Sequence, residues 1–151
     1  MVRYYDSSIL LSEILEENPA TILATHWDDA TIRLSSILLK VECQVGIRRA
    51  AHLQGYTADD EWVRVRLDRL KRYTDEVNCK GVDADIETLV RENAALTECR
   101  TLDAVHLATA LYFQPHQDEP IIIVTLDGRM REVAQRLGFG VAPGAEAPLS
   151  L

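Results

Sequence analysis

The sequence predicts an α/β domain of three layers, α/β/α, built around a mainly parallel central sheet. Three observations lead there. Short β-prone runs alternate with segments of helical periodicity along the chain, the pattern of repeated strand–helix units. The run Ile121-Ile122-Ile123-Val124 is apolar at every position, as in a strand covered on both faces. Residues 102–113 are apolar almost all the way round, as in a helix buried within such a domain.

In chain order, Val2-Arg3-Tyr4-Tyr5 is β-prone and is stopped by Asp6-Ser7-Ser8, three residues suited to opening a helix. Residues 9–17 then read as a helix ended by Asn18-Pro19, and residues 20–27 as another. A β-prone run at 31–35 leads into a helix over 37–51, where Ile37, Val41 and Val45 recur at helical spacing. Gly55 separates this from a long helical segment, 59–76. There Val63, Leu67, Leu70 and Val77 form one apolar stripe flanked by Trp62 and Tyr73. Residues 83–96 are helical through Ile86, Leu89, Val90 and Ala94. The buried helix at 102–113, a strand within 120–126, a helix over 128–137 closed by Gly138, and a last strand at 139–141 complete the pattern. One domain is expected over residues 1–141, with the Ala/Pro/Gly-rich residues 142–151 as a loosely ordered tail.

The chain of 151 residues is long enough for one sizeable core. Cys43, Cys79 and Cys99 are widely spaced and form no CxxC motif, so neither a disulfide framework nor a zinc knuckle is indicated. A reducing, cytoplasmic setting is expected. No basic region followed by an apolar run marks a signal peptide, and no stretch suits a membrane span. The net charge of −8 argues against a broad electrostatic surface for nucleic acid. The basic residues nevertheless bunch, with Lys40, Arg48 and Arg49 in one stretch and Arg64, Arg66, Arg69, Lys71 and Arg72 in another. Such runs also suit solvated helix faces.

Four acids carry the functional signal. Asp6 and Asp127 each follow a predicted strand, Asp103 lies in the first turn of the buried helix, and Glu42 lies within the helix that follows residues 31–35. Taken singly, the three aspartates also read as caps, turns or first-turn acids, and Glu42 as a surface residue. Taken with the topology, they gather at the carboxyl ends of parallel strands, where α/β sheets bind ligands. Four carboxylates brought together repel one another unless one takes up a proton or a cation intervenes. Hard oxygen donors suit Mg2+ or Mn2+, and that chemistry leads to phosphodiester hydrolysis.

The same residues carry a family resemblance. Tyr4-Tyr5-Asp6-Ser7-Ser8, then Ser35 followed after six residues by Glu42, then Arg100-Thr101-Leu102-Asp103-Ala104-Val105-His106-Leu107-Ala108-Thr109-Ala110, then Val124-Thr125-Leu126-Asp127 resemble the four acidic blocks of PIN-domain nucleases. Their order and spacing also match, and the closest likeness is to the small VapC-type toxins. The resemblance implies a Mg2+- (or Mn2+-) dependent endoribonuclease acting on RNA, paired with a cognate antitoxin protein and self-associating as a homodimer. It assigns Asp6, Glu42, Asp103 and Asp127 to catalysis and metal binding, with Ser7 and Thr125 as supporting polar residues. Arg48, Arg49 and Arg100 are candidates for the substrate phosphate. His106 matches a family histidine but lies within an apolar helix and reads as structural. His26, His52 and His116 show no ligand spacing.

Two other PIN readings stand beside the toxin, an RNA-processing nuclease and a non-catalytic scaffold. The scaffold is disfavoured because all four acids are present. A receiver domain or aspartate-based phosphatase fits poorly. Asp6 is followed by serines rather than a second acid, and none of Lys40, Lys71 and Lys80 follows the strand at 121–124.

Overall fold

The computed structural model describes residues 1–16 and 21–144. Among these residues five strands form a single sheet, β1 (Val2–Tyr5), β2 (Ile32–Ser36), β3 (Asn78–Lys80), β4 (Ile121–Val124) and β5 (Gly140–Ala142). Every pairing is parallel and the spatial order is β3-β2-β1-β4-β5. The centre is in register as Val2↔Ile32 on one side of β1 and Val2↔Ile121 on the other. The chain winds outwards from β1 in both directions, so the strand order reverses between β1 and β4. In open parallel sheets the crevice beyond the carboxyl ends at that reversal is where ligands bind.

Among the described residues seven α-helices cover the sheet: α1 (Ser7–Ile14), α2 (Thr21–Asp28), α3 (Leu38–Leu53), α4 (Glu61–Thr74), α5 (Ala84–Glu92), α6 (Thr101–Phe113) and α7 (Gly128–Arg136). Because side chains alternate along a strand, the central strands β1 and β4 feed two cores. Tyr4, Ile121 and Ile123 face α5, α6 and α7 and pack with Leu107, Met130 and Val133. Tyr5, Ile122 and Val124 face the opposite layer and pack with Ile9, Leu10, Leu39 and Ile47 of α1 and α3. No helix among the described residues is long and apolar enough to cross a membrane.

The helix expected over 83–96 ends at Glu92 and is followed by a 3-10 turn, Ala94–Glu98. Asn93 causes the break. Its backbone is extended, and its amide donates to Leu89 O at 2.7 Å, so the side chain takes over a carbonyl of the last turn. Asp83 caps the start of α5, accepting from the backbone N–H groups of Asp85 and Ile86. The edge strand β3 was not expected, and the last strand runs one residue further than expected, through Ala142. Two expectations lie outside the described residues, the Asn18-Pro19 helix stop and the tail beyond Gly144.

On α3 the spacing of Ile37, Val41 and Val45 identifies the helix but not its buried face. Leu39, Cys43, Ile47 and Ala51 point into the core, whereas Ile37, Val41 and Val45 are exposed. The stripe on α4 does pack inward, with Val63 and Leu70 buried and Trp62, Leu67 and Tyr73 partly so. Gly46 governs how α1 sits on α3. A Cβ there would lie 2.8 Å from both Leu11 methyl carbons, so the missing side chain admits a close approach of the two helices. That approach sets the start of α1, where Asp6 stands, beside the first turns of α3.

Candidate active site

Three of the four acids are placed by elements that meet at the carboxyl edge of β1 and β4. Asp6 ends β1, and its backbone N–H still reaches Val124 O at 3.3 Å. Asp127 caps α7 just beyond β4, accepting from Met130 N at 2.8 Å. Asp103 lies in the first turn of α6, where the helix dipole favours a negative charge. Glu42 sits in the second turn of α3.

The Asp6 carboxylate is buried and held by two hydroxyls. Ser8 Oγ donates to Oδ1 at 2.7 Å and Thr125 Oγ1 donates to Oδ2 at 2.9 Å. Each hydroxyl is oriented in turn by the β4–α7 connection, because Leu126 N donates to Ser8 Oγ at 2.9 Å and Asp127 N donates to Thr125 Oγ1 at 3.0 Å. A hydroxyl that accepts from a backbone N–H keeps its proton free for the carboxylate. Of the two polar residues expected beside the acids, Thr125 contacts Asp6 directly. At α1 the hydroxyl on Asp6 is that of Ser8, whereas the Ser7 carbonyl faces the Cys43 thiol at 3.9 Å. Nothing in the spacing of two adjacent serines separates them. The direction in which α1 leaves Asp6 decides it.

Glu42 is coupled to the core through His106. The imidazole Nε2 is 2.6 Å from Glu42 Oε1, and Nδ1 is 2.8 Å from the Tyr4 hydroxyl. An ionised Glu42 can only accept, which places the proton on Nε2. With a neutral ring, Nδ1 then accepts from Tyr4. His106 is thus structural, as its apolar helix suggests, but what it positions is a site acid. Tyr4 was not singled out in the sequence, because a buried tyrosine in a strand ordinarily reads as core.

Arg100 joins the remaining two acids. Its Nη2 is 2.9 Å from Asp127 Oδ2 and its Nε is 3.3 Å from Asp103 Oδ2. The side chain is 78% exposed, so the guanidinium lies at the mouth of the site with water on its outer side. Arg48 and Arg49 are exposed further along α3, and among the described residues neither forms an ion pair.

The electrostatics match a cluster short of positive charge. Burial pushes the Asp6 carboxyl up to about 6, against the opposing influence of His106, Ser8 and Thr125. Asp103 is also raised, first by burial and then by the charge on Asp127. Among the described residues no three carboxylate, imidazole or thiol groups already stand as a metal-holding set. The donor chemistry nonetheless suits a hard divalent cation, since all four acids offer oxygen and two of them resist ionisation as they stand. The Arg100 guanidinium contacts both Asp103 and Asp127, so a cation held by those two acids would compete with it.

A search of curated proteins finds no match to this sequence. A comparison with protein-family models matches the PIN domain over residues 3–136, a span that includes all four acids, most of β1 and all of β2, β3 and β4. PIN domains are generally nucleases and typically use divalent metals. With that match over most of its length, and with an all-parallel five-stranded sheet flanked by helices, the chain belongs to the PIN domain family.

Proposed function

We propose that this PIN-domain nuclease is an endoribonuclease that hydrolyses RNA phosphodiester bonds with Mg2+ or Mn2+, and that it serves as the toxin of a type II toxin–antitoxin pair. The observation that carries the reading is the chain of contacts at the β1/β4 edge. Asp6 is tied through Thr125 to Asp127, Asp127 through Arg100 to Asp103, and Glu42 to His106 alongside. Asp6, Glu42, Asp103 and Asp127 would hold the metal. When bound, the ion supplies Lewis acidity at the phosphodiester.

The protein's own groups do the rest. Ser8 and Thr125 fix both Asp6 oxygens, and His106 fixes Glu42, so the acids are set before substrate arrives. Arg100 is placed to turn from the two aspartates towards a phosphate, and Arg48 and Arg49 extend positive charge along α3. The toxin role rests on the likeness of the four blocks to VapC-type toxins. A cognate antitoxin and a homodimer are part of the same proposal. The exposed Ile37, Val41 and Val45 stripe on α3 supplies an apolar surface for such contacts.

The test is cleavage of a panel of structured RNAs by the purified protein with Mg2+ or Mn2+ against EDTA, beside Asp103→Asn. Metal-dependent cutting that the variant lacks is the expected result. Equal cutting by wild type and variant would overturn the site. The toxin role is read separately, as growth arrest on expression of wild type but not Asp103→Asn.

A further inference from the structure

Beyond the acids, α3 leads to a second feature at its C-terminal end. The helix ends in a Schellman turn. Gly55, at a φ of +81°, lets its own N–H reach His52 O at 3.1 Å and the N–H of Tyr56 reach Ala51 O at 2.9 Å. This turn sets the Tyr56 ring against Trp62 of α4, stacked at 11° with ring centres 5.1 Å apart. Trp62 is itself held by Arg66, whose guanidinium carbon lies 3.9 Å from the ring centre. Tyr56 remains 40% exposed and forms one wall of a cavity of about 330 Å³, together with Arg48, His52, Ala51 and Val63.

The geometry points to this cavity as a pocket for one unpaired nucleobase of the RNA substrate, stacked on Tyr56, with the adjoining phosphate met by Arg48 and Arg49. The assignment rests on the ribonuclease reading above, and what it adds is a place for one base at the far end of α3 from the acids. Flat rings backed by a second aromatic are how proteins hold splayed bases, whereas bases in a duplex are stacked on one another and unavailable. The charge is suited to phosphate. Arg48 and Arg49 are free of ion pairs among the described residues, while the nearby Asp60 carboxylate is committed to Thr57, at 2.5 Å from its N–H and 3.2 Å from its hydroxyl.

Placement also links the pocket to the acids. Glu42, Val45, Arg49 and His52 follow one another along one side of α3, at steps of three, four and three residues. At about 1.5 Å per residue, His52 lies about 15 Å along the helix from Glu42, a span that a short run of nucleotides covers. A strand gripped at Tyr56 would thus present a bond a fixed number of nucleotides away to the acids.

The experiment measures binding apart from cleavage. Fluorescence anisotropy of a labelled single-stranded adenylate oligomer, and of an RNA duplex of equal length, is recorded in EDTA with wild type, Tyr56→Ala and Tyr56→Phe. Loss of the ring is expected to weaken single-strand binding at least about fivefold, the low end for one stacked base. Tyr56→Phe keeps the wild-type affinity because it keeps the ring, and duplex binding is the same in all three. Equal single-strand affinity in wild type and Tyr56→Ala overturns the pocket, while metal-dependent cutting by wild type in the same preparation would leave the nuclease intact. If wild type neither binds nor cuts any RNA, both readings fall. A change of mass in sedimentation for Tyr56→Ala, with RNA affinity unaltered, overturns the pocket in favour of a contact between two copies of the chain.

Discussion

The imidazole Nε2 of His106 lies 2.6 Å from Glu42 Oε1, so a residue of the buried helix α6 fixes a carboxylate carried by α3, across the sheet edge. The other ring nitrogen is spent on Tyr4, which is fully buried. His106→Ala removes both partners at once. It should lower stability by about 1–3 kcal/mol, the usual cost of stranding a buried polar group. It should also reduce cleavage by freeing Glu42. His106→Gln, which can reach one partner, should recover part of each. Chemical denaturation and single-turnover cleavage measure the two effects, and an unchanged denaturation midpoint for His106→Ala would show that the contact holds nothing in place.

Asp6 makes stability depend on pH in a defined direction. Burial raises its carboxyl from 3.8 to about 6, so between those values the folded chain keeps a proton that the unfolded chain has released. The metal-free protein is therefore most favoured below this window and loses stability as pH rises through it, by on the order of 3 kcal/mol. Asp103, shifted the same way, adds to the slope. In EDTA the denaturation midpoint of wild type should fall from about pH 4 to about pH 6 more steeply than that of Asp6→Asn. Mn2+ affinity should rise over the same interval, because the ion needs the carboxylate ionised. Parallel stability profiles for the two proteins would mean that Asp6 does not titrate there.

How much of this was legible in the sequence depends on which physical property each residue expresses locally. The Ile121–Val124 strand and α6 announce themselves because burial on all sides demands unbroken apolar character. β3 does not, since Asn78-Cys79-Lys80 is a three-residue edge with little to bury. On α3, two apolar sets each repeat every four residues, and periodicity alone cannot say which one meets the sheet. Leu39, Cys43 and Ile47 do, because α1 packs on that side over Gly46. Three of the acids stand out in the sequence by their positions at strand ends and in a first turn. Most of the contacts made to them do not. Ser8, Tyr4, His106 and Arg100 acquire their roles from contacts that cross between elements, some spanning more than a hundred residues of sequence, and no local pattern encodes such pairings.

Arg100 offers the sharpest contrast between two roles. Its guanidinium bridges Asp127 at 2.9 Å and Asp103 at 3.3 Å, the place a divalent cation would compete for. Replacing it with alanine removes a positive charge from the cluster, so Mn2+ affinity measured by calorimetry without RNA should increase. The gain should be no more than a few-fold, because the side chain is exposed and water screens it. If Arg100 also meets the substrate phosphate, the same change should raise KM for RNA, giving tighter metal and weaker substrate in one variant. Arg100→Lys keeps the charge but loses the fork that spans two carboxylates, and should fall between wild type and alanine on both measures. A variant with weaker Mn2+ binding would show instead that Arg100 helps assemble the acids, and that the guanidinium and the metal do not share a place.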